Sequence, residues 1–428
     1  MQKSTSNKTA RRIGFRYYPD TFHYRQSDLQ DWLPKLTDLG AGWLVLEAPS
    51  DRAVPEDFLR GLIRAGVQPV LQMRLPLSEP TDASAMSVLF EAYAHWGVEY
   101  IAPFDQPNMQ HSWGSGAWVQ QRLVERFLDR FIPLAEKLCQ AGIAPVFPGL
   151  QPGGNFWDTV FLRSALQGIK SRGHTRLLER LVLGAYAWPN GHELDWGAGG
   201  PQAWPDVRPY DTPEGQQDHL GFRIFEWYAA TTESAVGKTL PLLLLGTGVE
   251  PVDLDSHADT NFKIAQLLTD PGQIPQNVLG GCFPLVCAAE DKPEAKRAWF
   301  TPDGKGLPVV SRLQEWLQSL QVKDEPQGDA NFNTPAPGQK PIKHYLLLPH
   351  PKWGNPEWFL KVTRPFIKKH APTTGYSIRE AFFAQRVTIV GGVQVFPENL
   401  KDELEKTGSQ VIQISGSGTE IATLLAEL

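Results

Sequence analysis

A chain of 428 residues with 41% hydrophobic and 21% charged content is long enough for roughly two or three domains and apolar enough to bury a large core, which excludes a disordered protein. Its net charge of −6 argues against a nucleic-acid or anionic-membrane partner. No run approaches the ~18 consecutive apolar residues of a membrane span, and the polar start "MQKSTSNKTARR" lacks the apolar stretch of a secretory signal.

From residue 12 the pattern alternates. "RIGFRYYP" (12–19) reads as a strand and 27–40 as a helix, with Ser27 as N-cap and Gly40 at its end. Strand 42–49 precedes helix 54–66, strand 67–76 precedes helix 83–97, and strand 98–107 precedes helix 117–141. Then come strand 143–150 and helix 156–172, strand 180–188 and, after a long loop, helix 217–234. Strand 241–248 with helix 257–270, and strand 277–286 with helix 307–320, complete eight strand–helix units. Such alternation demands a parallel sheet covered on both faces, and eight units fit a (β/α)8 barrel over residues 1–322. A doubly wound sheet would need a phosphate-binding glycine turn after the first strand, and "FRYYPD" offers none.

Residues 323–341, "KDEPQGDANFNTPAPGQKP", are rich in Pro, Gly, Asn and Asp and read as a flexible linker. A small α/β domain follows over 342–428, with strands 344–349, 386–392 and 410–416 in one parallel layer. Its helices read as 355–370, 396–408 and 419–428, and a capping box runs from Ser377 to Glu380.

In such a barrel the chemistry sits at the C-terminal ends of the strands. Those ends carry Tyr17, Tyr18 and Asp20, then Glu47, Arg74, and Asp105, Gln106 and Asn108. Further along come Gln151, Tyr186 and Trp188, with His192, Glu193 and Asp195 beyond, then Thr247 with Glu250, and finally Glu290 and Asp291. The chain holds 14 Trp, 10 Tyr and 21 Phe. Several Trp stand in Gly- and Pro-rich stretches such as "HSWGSGAW", where an aromatic face suits the C–H face of a sugar as well as loop packing.

No G-x-S-x-G, H-E-x-x-H or Walker A pattern is present, so no metal or cofactor is expected. The acidic run "EPVDLDSHAD" matches no metal loop and reads as a helix-capping turn. Cys139, Cys282 and Cys287 form no disulfide framework; Cys282 and Cys287, five apart in one strand, should face opposite sides.

Four stretches carry a resemblance: "YIAPFDQPN" at strand 4, "LVLGAYAWP" at strand 6, "LPLLLLGTG" at strand 7 and "AWFTPDGKGLPVVSRLQEW" around the eighth unit. Residues 12–322 resemble a clan-A type glycoside hydrolase barrel. The resemblance implies an acid/base Glu after an Asn at the end of strand 4, a nucleophile Glu ending strand 7, and a supporting Tyr on strand 6. Here Asp105 stands at the Asn, Gln106 at the acid/base, Thr247 at the nucleophile and Tyr186 at the supporting Tyr. Retaining hydrolysis needs two carboxyl groups about 5–5.5 Å apart, and neither Gln nor Thr supplies one.

The expectation is therefore a carbohydrate-binding, glycoside-hydrolase-like protein without the standard pair. Tyr18, Arg74, Gln106, Asn108, Trp113, Gln151, Tyr186, Trp188 and Thr247 would line its site. The alternative is an active hydrolase using relocated carboxylates, Asp105 and Glu250. A third reading is a cell-surface structural or assembly protein. The tail from "RVTIVGG" onward is similar to the cell-wall-binding repeat type 2 of bacterial surface proteins, which implies a wall polymer as partner. Self-association stays open, and so does the compartment, cytoplasmic or surface-associated.

Overall fold

The computed structural model describes residues 12–208, 217–250, 253–270, 272–286, 296–324, 340–349, 356–392, 396, 399–416 and 418–427. Eight parallel strands form a closed barrel in sequence order: β1 (Ile13–Arg16), β2 (Trp43–Glu47), β3 (Gln68–Gln72), β4 (Tyr100–Ala102), β5 (Ala144–Leu150), β6 (Val182–Ala187), β7 (Leu242–Thr247) and β8 (Val278–Pro284). β8 closes the ring on β1, with Phe15 opposite Phe283. The helices α1 (Gln26–Asp38), α2 (Glu56–Arg64), α3 (Ala83–His95), α4 (Leu123–Ala141), α5 (Asp158–Ser171), α6 (Ile224–Val236), α7 (Leu254–Thr269) and α8 (Pro308–Asp324) follow the strands in turn. This is the (β/α)8 barrel that the alternation predicts.

The strands are buried on both sides, which is why stretches such as "LLLLGT" are continuously apolar. One set of side chains, among them Val45, Val70, Ala102, Val146, Val182, Leu243 and Leu245, fills the barrel. The alternate set, including Ile13, Phe15, Leu44, Leu46, Leu71 and Phe147, packs under the helices. Cys282 is in the inner set, and burial pushes its thiol up to about 12; Cys287 lies outside the described residues.

Several boundaries differ from the sequence reading, each for a local reason. β4 is only three residues long, so Asp105 lies in the loop beyond it. α1 starts at Gln26 and not after Ser27; the Asp28 carboxylate accepts from the Arg25 N–H and fixes that start. The helix expected over 117–141 is broken at Arg122, whose backbone is left-handed, and α4 starts at Leu123. Residues 217–223 are not helical, because Asp218 folds into a turn that accepts from the Leu220 N–H and the Trp196 indole. The acidic run after β7 behaves as expected: Asp253 caps α7 by accepting from the Ser256 N–H at 2.7 Å.

A second compact unit begins at Lys323. Of the stretch read as a linker, residues 325–339 lie outside the described residues. The unit holds four parallel strands, one more than expected: β9 (Ile342–Leu347), β10 (Thr373–Gly375), β11 (Ala384–Val390) and β12 (Gln410–Ile414), in the order β10-β9-β11-β12. β10 has no buried residue and carried no apolar signal. The helices are α9 (Pro356–His370), α10 (Ile378–Ala381), α11 (Leu400–Lys406) and α12 (Gly418–Glu427). Two apolar clusters cover the two faces of the sheet: Tyr345, Val387 and Ile389 with Leu400 and Leu404 on one, Leu346, Leu348 and Val390 with Phe366, Ile421 and Leu425 on the other. Among the described residues, no helix is long and apolar enough to cross a membrane.

Candidate active site

The inward column of the barrel changes character near the C-terminal ends of the strands. Below, it is Val45, Val70 and Val182; nearer the mouth it becomes Glu47, Gln72 and Tyr186, with Arg16 on β1. These four groups are bonded into one layer. The Arg16 guanidinium donates to the Gln72 side-chain oxygen (3.2 Å) and to the Leu245 carbonyl (3.0 Å), and lies 3.6 Å from a Glu47 oxygen. The Gln72 amide in turn donates to the Tyr186 hydroxyl at 3.3 Å. A buried polar layer of this kind stands only because its members satisfy one another.

Tyr186 passes the network upward. Its hydroxyl donates to Asp105 Oδ1 at 2.6 Å. Burial, and then the Asp105 carboxylate, raise the phenol above its ordinary pKa, so the hydroxyl keeps its proton and remains a donor. The ring fits because both flanking strands place glycine beside it. A Cβ on Gly149 of β5 would lie 2.7 Å from the ring, and one on Gly246 of β7 would lie 2.9 Å from it. The Gly246 Cβ would also meet the Trp188 ring at 2.7 Å, and Trp188 stacks parallel to Tyr186 with centroids 6.0 Å apart. The Arg297 guanidinium covers Trp188 at 4.3 Å.

Arg74 bridges the two carboxylates of the mouth. It bonds Glu47 at 2.9 Å and faces Asp105 at 3.6 Å, and its side chain is 40% exposed. Arg74 and Gln106 follow adjacent strands, and both hold left-handed backbone, at φ +46° and +44°. For residues with a Cβ such a conformation costs about 1–3 kcal/mol and clusters at functional sites.

Gln106 is anchored beside them. Its amide donates to the Gln151 side-chain oxygen at 3.1 Å, and its backbone N–H donates to Gly149 O at 3.0 Å. Asn108 is fully buried; its amide donates to the carbonyls of Gln151 (2.8 Å) and Phe156 (3.0 Å), and its oxygen accepts the Gln151 N–H (2.9 Å). It staples the β4 loop to the β5 loop and presents nothing to a ligand. The β5 loop is held in turn by buried Asp158, which accepts from the Gly153 N–H, His219 and the Tyr228 hydroxyl at 3.1, 2.8 and 2.8 Å.

The expected site residues thus divide. Arg74, Asp105, Gln106, Gln151, Tyr186 and Trp188 are brought together. Tyr18 lies on the rim, its ring edge-on to Tyr17 and stacked with His23. Trp113 is a correction: it is fully buried, its indole donates to Pro107 O at 2.7 Å, and Arg126 and Arg130 cover its ring, so it packs a loop and offers no platform. Thr247 is also fully buried, its hydroxyl donating to Ala187 O at 2.9 Å. Glu250 is exposed and pairs with Lys296 at 3.0 Å, with no contact to the Asp105 network. Glu290 and Asp291 lie outside the described residues.

Arg16 and Gln72 were not singled out from the sequence. The signal was available: each is a polar residue at the inward parity of an otherwise apolar strand. Among the described residues, no group of three or more His, Cys, Asp or Glu side chains is placed to hold a metal ion.

No protein-family model matches the chain, and no curated protein matches it. Among solved structures it is similar to a monomeric β-xylosidase from Caulobacter crescentus CB15, at TM-score 0.47 and 12% identity over 72% of this chain and 68% of that one. It is similar to a GH39 enzyme from Xanthomonas axonopodis pv. citri, at 0.48 and 12% over 73% and 67%. It is also similar to an exo-β-1,4-mannosidase from Opitutaceae bacterium strain TAV5, at 0.41 and 12% over 100% and 82%. At these values the likeness gives no residue of this chain a role.

Proposed function

We propose that this barrel binds carbohydrate at its C-terminal mouth and lacks the carboxylate pair that cleaves glycosidic bonds. The observation that carries the reading is the state of the two positions where the pair would stand. Gln106 presents a carboxamide, bonded to Gln151. Thr247 presents a buried hydroxyl committed to Ala187 O. An amide can hydrogen-bond a glycosidic oxygen but cannot protonate it as the bond breaks, and a hydroxyl with no adjacent base is a poor nucleophile. What survives is a dense set of hydrogen-bonding groups, Arg74, Asp105, Gln106 and Gln151, held over the buried rings of Tyr186 and Trp188. Such a set suits a polyhydroxylated ligand.

The test is calorimetric titration of the full chain with a panel of saccharides, run beside hydrolysis assays on activated aryl glycosides. Binding without turnover supports the reading; turnover at enzymatic rates, or no binding to any saccharide, sinks it.

A second reading, hydrolysis through relocated carboxylates, has one observation in its favour: Asp105 and Glu47 face the same guanidinium. Glu250, tied to Lys296 at the surface, is the weaker partner. In either reading the small domain would serve as a docking unit for wall polymer, on the strength of its "RVTIVGG" segment.

A further inference from the structure

Among the described residues, Phe22 is the most exposed large hydrophobic aromatic side chain, at 74%. It stands in the loop between β1 and α1, and that loop is built rigidly. Asp20 Oδ1 accepts from the Phe22 N–H at 2.9 Å, and both Asp20 oxygens face His23 Nδ1 at 2.9 Å. One carboxylate therefore orients the phenyl-bearing backbone and the neighbouring imidazole together. His23 is also fixed from its face, stacked on Tyr18 at 3.8 Å and 14°. Arg52 braces the outside of the loop, donating to the Thr21 carbonyl (3.2 Å) and hydroxyl (2.8 Å), with its guanidinium 5.8 Å from the Phe22 ring centre.

An apolar ring that serves only the core has no reason to be held out in water by this many polar contacts. With Nδ1 directed at Asp20, Nε2 is the ring nitrogen left to hydrogen-bond a ligand. The His23 side chain is 41% exposed, and no described residue bonds Nε2. The loop thus offers an apolar face and, one residue along, a ring nitrogen able to hydrogen-bond. A pyranose has the matching pair of features, a C–H face and hydroxyls around its edge.

The loop is continuous with the mouth. The Tyr24 hydroxyl donates to the Glu47 carbonyl at 2.5 Å, and the Glu47 side chain belongs to the Arg16–Arg74 network. We propose that Phe22 and His23 form an outer sugar subsite, Phe22 stacking on one sugar unit while His23 Nε2 hydrogen-bonds its hydroxyl. The ligand is then an oligosaccharide of two or more units, with one unit in the mouth and the next on the rim. This rests on the carbohydrate reading of the mouth.

The experiment titrates the full chain with β-1,4-linked xylose, mannose and glucose oligomers of one to six units. A stacked ring contributes about a three- to tenfold gain in affinity. The wild-type protein should show that gain on going from one unit to the longer oligomers. Phe22→Ala should abolish the gain and His23→Ala should reduce it, both leaving the single sugar unaffected, whereas Arg74→Ala should weaken every length. Phe22 is exposed, so its truncation leaves the fold intact, which circular dichroism checks. If no oligomer of any length binds, the sugar reading of the mouth falls and takes the subsite with it. If oligomers bind and Phe22→Ala keeps the full length dependence, only the subsite falls. The same holds if Phe22→Ala changes the oligomeric state alone, which would make the ring a protein contact.

Discussion

The Tyr186 hydroxyl lies 2.6 Å from Asp105 Oδ1, a bond that joins β6 to the loop beyond β4 across the top of the barrel. The same hydroxyl receives the Gln72 amide from β3. Removing it strands a carboxylate oxygen and an amide hydrogen at once. Tyr186→Phe should therefore lower stability by about 1–3 kcal/mol, the usual cost of leaving buried polar partners unmade. Urea unfolding measures this, and an unchanged midpoint would mean the network adds nothing. Affinity for saccharide should fall as well, because Asp105 loses the group that orients it.

Gly246 makes room for two rings. A Cβ there would stand 2.7 Å from Trp188 and 2.9 Å from Tyr186, inside any tolerable contact. Gly246→Ala should displace both rings and destabilise the protein by about 1–3 kcal/mol, as overpacking does. Near-ultraviolet circular dichroism should report the altered ring environment. A variant with wild-type signal and stability would show that the strand yields easily at this point.

Strand-and-helix alternation was enough to read the barrel, because burial on both faces makes the strands largely apolar between amphipathic helices. The mouth was half legible. Asp105, Gln106, Gln151 and Tyr186 could be found because they lie at or just beyond the ends of strands, and strand ends converge. Arg16 and Gln72 were hidden inside strands, where only inward parity marks them, and parity depends on knowing the register. Trp113 misled because a Trp in a glycine-rich loop looks the same whether it faces a ligand or, as here, an interior carbonyl. The pairing of Glu47 with Asp105 through Arg74 joins the end of β2 to the loops beyond β3 and β4, and no local pattern encodes it.

Catalytic silence can be tested directly. Wild type, Asp105→Asn and Glu47→Gln should all show background hydrolysis of activated aryl glycosides. Gln106→Glu should not restore activity either, because the Thr247 hydroxyl is buried against Ala187 O and supplies no nucleophile. If wild type turns over and either carboxylate change abolishes turnover in a folded protein, the pair bridged by Arg74 is catalytic.

The stretch 323–341 contains few apolar residues, and the chain divides into two compact units at Val322 and Lys323. A brief protease treatment should cut within 323–341 and release two fragments that each keep their circular dichroism spectrum. A chain that resists uniformly, or a first cut inside the barrel, would contradict this.

Acid sensitivity should come in part from His257. It is fully buried on α7, with Nε2 3.3 Å from Arg297 O and Nδ1 without a partner among the described residues. Burial lowers its pKa, and the bond to Arg297 O, which favours the charged form, opposes this more weakly. In the unfolded chain a histidine titrates near about 6.5. Above that pH both states hold the neutral ring, and His257 imposes no penalty. As pH falls below about 6.5 the unfolded chain takes up a proton that the folded chain resists, so folding stability drops until the lowered folded pKa is reached. Carboxylates titrate mainly lower, so the window just below 6.5 belongs largely to histidine. Denaturant unfolding at pH 7.5 and 5.5 should show wild type losing more stability than His257→Gln, which carries no titrating ring. Equal losses in the two proteins would mean that His257 accepts its proton in the folded state as readily as in the unfolded one, and that its burial places no charge at risk.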